Sequence, residues 1–193
     1  IIKESLAKSM TYQTYRKLVN DLVKDGKSTG PNQSDDLLNY SLLNDKRMKR
    51  LDKTTKLSEE TIAKIKAIKE PQTWLVITEG WCGDAAQNLP VINKLAEENL
   101  NINLKIVLRD ENLTLMDKFL TNGGRSIPKM ILLDENKNVK NTWGPRPTKA
   151  TKMVQDYKAA NGSLDAQFKE DLQVWYNKDK GTNAQENIVA LLA

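Results

Sequence analysis

The sequence predicts an α/β fold with helical extensions at both ends, and three observations predict it. Thr73-Trp74-Leu75-Val76-Ile77 is an apolar, β-branched run that reads as a buried strand. It passes through Thr78-Glu79-Gly80-Trp81-Cys82-Gly83-Asp84 directly into a helical pattern. Beyond that point strand and helix patterns alternate, then end in two short strands separated by a polar turn. The expected core is a mixed sheet of about four strands flanked by helices over residues 71–162. Residues 1–70 form a helical N-terminal extension, and residues 163–193 form a helical C-terminal extension packed on the same domain.

In the first segment, Tyr12, Tyr15, Leu18, Val19, Leu22 and Val23 fall on one helical stripe after Thr11. Asp25-Gly26-Lys27-Ser28-Thr29-Gly30-Pro31 has the Gly and Pro content of a loop. Ser34-Asp35-Asp36 is a cap followed by acids in a first turn, and Leu37, Leu38, Leu42, Met48 and Leu51 supply the expected apolar face. Lys46, Arg47, Lys49, Arg50 and Lys53 crowd the end of this helix. Cations there complement the helix dipole, and they also make an anion or partner site available. Ser58 caps a third helix with Ile62, Ile65 and Ile68 inward, stopped before Pro71.

In the α/β segment, Leu89, Ile92 and Leu95 recur at helical spacing after Cys82. Ile102–Leu108 is a strand, and Leu113, Met116, Phe119 and Leu120 mark a short helix ended by Asn122-Gly123-Gly124. Lys129–Leu133 and Val139–Trp143 flank so short a polar segment that they pair as an antiparallel hairpin. The strand–helix–strand before them is expected to be parallel and right-handed. A helix from about Pro147 carries Met153, Val154 and Tyr157 and stops at Asn161-Gly162. Leu164, Phe168, Leu172 and Trp175 then make a further helical stripe.

Composition narrows the chemistry. The 193 residues include one cysteine and no histidine, which removes Ser-His-Asp and Cys-His catalysis and any histidine-ligated metal within the chain. No metal and no cofactor are expected. One cysteine forms no internal disulfide and fits a reducing compartment, so a cytoplasmic location is expected. The formal charge is +5, but lysines alternate with acids along the chain, so a solvated surface is expected rather than nucleic-acid binding. No apolar run reaches membrane-spanning length, and no membrane association is expected.

Cys82 sits where a buried strand turns into a helix. Backbone N–H groups at a helix start favour negative charge, so this position biases a thiol toward thiolate. Glu79 and Asp84 oppose that bias. Asp84 reads either as a favourable first-turn acid or as a local proton acceptor, and Trp81 either as packing or as a shield over the thiol.

Four local features in order resemble the thioredoxin family over roughly residues 71–162. Trp81-Cys82-Gly83 is similar to its active-site turn, and Pro90 to the proline that kinks its active-site helix. Arg125-Ser126-Ile127-Pro128-Lys129 resembles the segment holding its cis-proline, and Gly144 falls where the family has a glycine beyond the hairpin. The resemblance implies a thioredoxin fold, a catalytic Cys82, and pairing of a substrate segment by Ile127 and Pro128, and Trp81, Gly83 and Asp84 beside the thiol complete the expected substrate-binding surface. It also implies that the Pro128 loop faces Cys82, which would let Arg125 offset the acids that tune the thiolate.

Two departures narrow that chemistry. Ala85 stands where the family has its second cysteine, and Val76 where it has a buried acid. The turn Cys-Gly-Asp-Ala also differs from the Cys-Gly-Phe-Ser of iron–sulfur monothiol glutaredoxins. The expected function is thiol–disulfide exchange through one thiol, completed by an external one. The expected partner is a disulfide- or thiol-containing protein or a low-molecular-weight thiol, and a homodimer stays open. The alternative is a redox-inactive module that binds an extended segment in the groove beside Pro128.

Overall fold

The structure, a computed structural model, describes residues 1–192. Its centre is β1 (Gln72–Thr78), buried from Thr73 onward, which explains why the strand reads as an uninterrupted apolar run. β2 (Ile102–Leu108) pairs with it in parallel, and β3 (Lys129–Leu133) pairs antiparallel on the other side. β4 (Val139–Trp143) forms the antiparallel hairpin with β3, giving the order β2-β1-β3-β4. The expected mixed four-stranded sheet flanked by helices is therefore present.

Alternation along β1 divides the core in two. Trp74 and Val76 point to one face, with Ile106, Met130 and Leu132 beside them. That face is covered by α2 (Tyr12–Lys24), α5 (Gly83–Glu97) and α9 (Thr182–Ala190) through Tyr15, Val19, Leu89, Ile92 and Ile188. Leu75 and Ile77 point to the other face, with Val107, Ile131 and Leu133. There α1 (Ile2–Ala7) and α6 (Leu113–Met116) cover the sheet with Ile2, Leu6, Leu115 and Met116. α7 (Thr148–Asn161) and α8 (Ala166–Asp179) enclose a third cluster in which the Tyr157 and Phe168 rings stack 4.2 Å apart. Met10 adds a one-residue antiparallel bridge to Ile106 at the outer edge of β2.

The helix starts follow their caps. Thr11, Ser34 and Ser58 each accept a hydrogen bond from the backbone N–H three residues on, opening α2, α3 (Asp35–Thr54) and α4 (Glu59–Lys66). Three details depart from the sequence expectations. α3 does not bury a leucine face. Leu42 and Leu43 are exposed, and the buried side carries Ser41, Asn44 and Asp45 with Met48. Those polar groups are occupied, as Asp45 accepts from Arg16 at 2.9 Å and Asn44 donates to the Gly80 carbonyl at 3.0 Å. Next, α6 stops at Met116, and Asn122-Gly123 does not cap it. Both residues have positive φ (50° and 77°) and form a tight turn closed by Thr121 and Gly124. Finally, α8 buries Tyr176, while Trp175 is half-buried.

Candidate functional site

The site grows from the end of β1. As the strand leaves the sheet at Thr78, its next residues are clamped from the N-terminal segment. The Gly80 N–H donates to Thr29 Oγ1 at 2.9 Å, and the Gly80 carbonyl accepts from Asn44. A Cβ at Gly80 would lie 3.1 Å from Val19 Cγ2, so the closeness of α2 favours glycine there. Glu79 is fully buried. Its carboxylate accepts from the Thr29 hydroxyl and, at 2.9 Å, from the Asp110 N–H. Burial is the main cause that raises its pKa, and these two hydrogen bonds act against the rise.

Cys82 is the N-cap of α5. Its sulfur accepts from the Ala85 N–H at 3.4 Å, and its S–H donates to the Ile127 carbonyl at 3.3 Å. The Ile127–Pro128 bond is cis, as is Gly144–Pro145. The Pro128 loop is held down by Gly144, which has φ +114° and whose Cβ would fall 2.2 Å from the Pro128 carbonyl oxygen. Burial, then the Asp84 charge, pushes the thiol up to about 12. The Ala85 and Asp84 amides and the Arg146 guanidinium pull the other way without prevailing.

Asp84, in the first turn of α5, is held on both oxygens. Tyr176 of α8 donates to Oδ1 at 2.7 Å, and Arg146 meets Oδ2 at 2.9 Å. Asn88 ties this corner together, donating to the Asp84 carbonyl at 2.8 Å and to the Tyr176 hydroxyl at 3.2 Å. Burial raises the Asp84 pKa, while Arg146 and Tyr176 favour its charged form.

The other expected site residues divide. The Ile127 carbonyl lies against the thiol, Pro128 follows it across the cis bond, and Gly83 opens α5. Trp81 packs beside Cys82 on the cluster containing Ile127, with the Arg109 guanidinium 4.9 Å above its ring. Arg125 is elsewhere. It forms a two-pronged pair with Asp117 at 2.7 and 2.9 Å, and the cation acting on the thiol is Arg146. Val76 is fully buried among apolar side chains, so no acid lies at that place in the sheet.

A family model described as thioredoxin matches residues 30–158, more than half of the chain. The chain belongs to the thioredoxin family. Two solved structures share the thioredoxin-like fold. One is a crystal structure of a protein of unknown function from Pseudomonas aeruginosa, with a TM-score of 0.61 and 19% identity, covering 78% of this chain and 84% of that one. The other is an HIV epitope-scaffold, with a TM-score of 0.59 and 17% identity, covering 90% and 96%. No curated protein matches. Among the described residues, no helix is long and apolar enough to cross a membrane, and no three Cys, Asp or Glu side chains are grouped to hold a metal.

Several residues of this thioredoxin site escaped the sequence reading. Thr29 and Asn44 have no local signature, since their role exists only once the N-terminal segment folds behind Gly80. Tyr176 was hidden beside the more conspicuous Trp175. Arg146 did carry a signal. In Gly144-Pro145-Arg146-Pro147 it is the one long side chain on a stiffened segment.

Proposed function

We propose that this thioredoxin-family protein exchanges disulfides through the single thiol of Cys82 and relies on an external thiol to finish. The observation that carries the reading is the placement of that sulfur. It caps α5, accepts a backbone N–H, and meets the carbonyl of the residue before the cis-proline. The Cys82 thiolate attacks a disulfide R–S–S–R′, forming Cys82–S–S–R, and R′S⁻ leaves and takes up the proton Cys82 lost. No second cysteine exists to displace R. An external thiolate R″S⁻ then attacks the R sulfur, giving R–S–S–R″ and regenerating the Cys82 thiolate. Trp81, Gly83, Asp84, Ile127 and Pro128 form the contact surface, with residues 71–162 as the exchange unit between two helical additions. A reducing compartment such as the cytoplasm supplies the thiols this scheme consumes.

One observation favours a second reading, a redox-inactive module that seats an extended segment beside Pro128. The thiol is pushed up to about 12, so it is protonated at neutral pH. The two readings separate in a turnover assay on a small aromatic disulfide. The exchange reading expects turnover that scales with added low-molecular-weight thiol, above the uncatalysed rate, and is abolished in Cys82→Ser. A rate identical for wild type and Cys82→Ser would leave only the binding module.

A further inference from the structure

Resting on the exchange reading, we infer that the outward face of α3 docks an acidic segment of the disulfide-bearing protein that Cys82 attacks. Tyr40, Leu43, Arg47 and Arg50 recur at i, i+3, i+7 and i+10, so they share one face of the helix, and Lys46 and Lys53 flank it. Tyr40 and Leu43 are 49% and 55% exposed, and Lys46, Arg50 and Lys53 are exposed as well. The face borders the active-site turn. Asn44 donates to the Gly80 carbonyl at 3.0 Å, and a methyl group on Gly83, the residue after Cys82, would lie 4.0 Å from Arg47 Nη1.

The cations of this face are not neutralised within the chain. Among the described residues, no carboxylate lies within ion-pair distance of Lys46, Arg47, Arg50 or Lys53. Both arginines bond neutral amides instead. Arg47 Nη1 donates to Asn44 Oδ1 at 2.6 Å, and Arg50 Nη2 to Asn177 Oδ1 of α8 at 2.8 Å. The acids of the same stretch, Asp45 and Asp52, are taken by Arg16 of α2 at 2.9 and 3.1 Å. Other exposed helical lysines are paired one turn away, as in Lys17–Asp21, Lys64–Glu60 and Lys152–Asp156. The helix dipole accounts only for Lys53, the one cation in the last turn, because its effect fades within that turn. Like charges gathered on one face repel, and carboxylates brought by a partner relieve that repulsion.

The neighbouring thiol selects the kind of partner. A nucleic acid would meet the cations but bring no disulfide, whereas a protein brings its acids and its reacting sulfur together. A second copy of this chain in a two-fold dimer would set the cationic face against itself. At 1.5 Å per residue the face from Tyr40 to Lys53 is about 20 Å long, which about six residues of extended chain cover. Carboxylates in that segment meet the cations, and an apolar side chain covers Leu43 and Tyr40.

The test uses the full chain and peptides of about ten residues, each with one cysteine activated as the 2-pyridyl disulfide. The Cys82 sulfur bonds to the peptide sulfur, the peptide's S–S bond breaks, and 2-thiopyridone leaves with the proton. One peptide carries four Asp and a Leu, a second has Asn for Asp, and a third has Ser for Leu. Each rate is divided by that peptide's rate with 2-mercaptoethanol. The acidic peptide should react about tenfold faster than the Asn peptide at low salt, and the advantage should vanish near ~0.5 M salt. In the triple variant Lys46→Gln, Arg50→Gln, Lys53→Gln the ratio should fall toward one. A charge-matched control, Lys3→Gln, Lys118→Gln, Lys140→Gln, should keep it. Tyr40→Ser with Leu43→Ser should slow the Leu peptide more than the Ser peptide. Equal normalised rates for the acidic and Asn peptides, or a ratio that changes alike in the two triple variants, overturn the docking face. So do tighter binding of a single-stranded oligonucleotide than of the acidic peptide on this face, and self-association lost in the first triple variant. Peptides that react without charge preference remove this inference alone, whereas no release above that of Cys82→Ser removes the exchange reading itself.

Discussion

Glu79, fully buried, and Asp84, partly exposed, are two acids on either side of one cysteine, and the structure treats them differently. Glu79 faces neutral donors, the Thr29 hydroxyl and the Asp110 N–H, supplied by the N-terminal segment and by the turn after β2. Asp84 faces a cation and a phenol, Arg146 and Tyr176, supplied by the segment after the hairpin and by the C-terminal extension. Asp84 is the charge that raises the Cys82 thiol most, and Arg146 opposes it. The first corner fixes the shape of the turn, and the second sets the charge beside the sulfur. Thr29 of the N-terminal segment and Tyr176 of α8 thus act on opposite sides of the same turn.

The largest effect expected from breaking this contrast is on stability. Glu79→Ala strands the Asp110 N–H and the Thr29 hydroxyl in the interior, at a cost of about 2–4 kcal/mol in denaturant unfolding. The pH profile of Cys82 alkylation should stay within about twofold of wild type in the fraction that remains folded. A large change in that profile would mean that Glu79 acts on the thiol after all.

Next in size is the charge experiment. Cys82 is pushed up to about 12, so wild-type alkylation should still climb with pH above pH 9. At pH 7 it should run slower than a free thiol by on the order of a thousandfold, from the thiolate fraction alone. Asp84→Asn removes a negative charge that raises the thiol pKa, so alkylation below pH 9 should speed up about tenfold for each unit the pKa falls. Arg146→Gln removes the opposing cation and should slow it. If both variants moved the profile in the same direction, the opposition of Asp84 and Arg146 would be wrong. The smallest effect is that of Tyr176→Phe, which loses one hydrogen bond to Asp84 and should cost about 1 kcal/mol of stability. Its alkylation profile should shift less than that of Asp84→Asn.

The parts legible in the sequence were those set by local pattern. β1 and its turn into α5, the hairpin of β3 and β4, and the caps at Thr11, Ser34 and Ser58 all follow from residue types within a few positions. Two kinds of feature were not legible. One is a helix face whose inward side is polar. α3 buries Asn44 and Asp45 beside Met48 because distant partners satisfy them, and an apolar pattern on that side gives no sign of the polar residues among it. The other is a partner supplied from far along the chain. Arg125 is close in sequence to Pro128 and was expected near the thiol, but Asp117 captures it in a local two-pronged pair. Arg146 takes that position from beyond the hairpin, and Tyr176 reaches Asp84 across 92 residues.

The most direct test of the account is the intact mass of the folded protein after exposure to a small symmetrical disulfide. The account predicts one adduct, on Cys82, that persists after the excess reagent is removed and disappears only when an external thiol is added. An adduct that forms only after unfolding would contradict it, because the sulfur would then be a sealed packing group. An adduct that resolves without added thiol would contradict it equally, because the chain holds no second cysteine to release it.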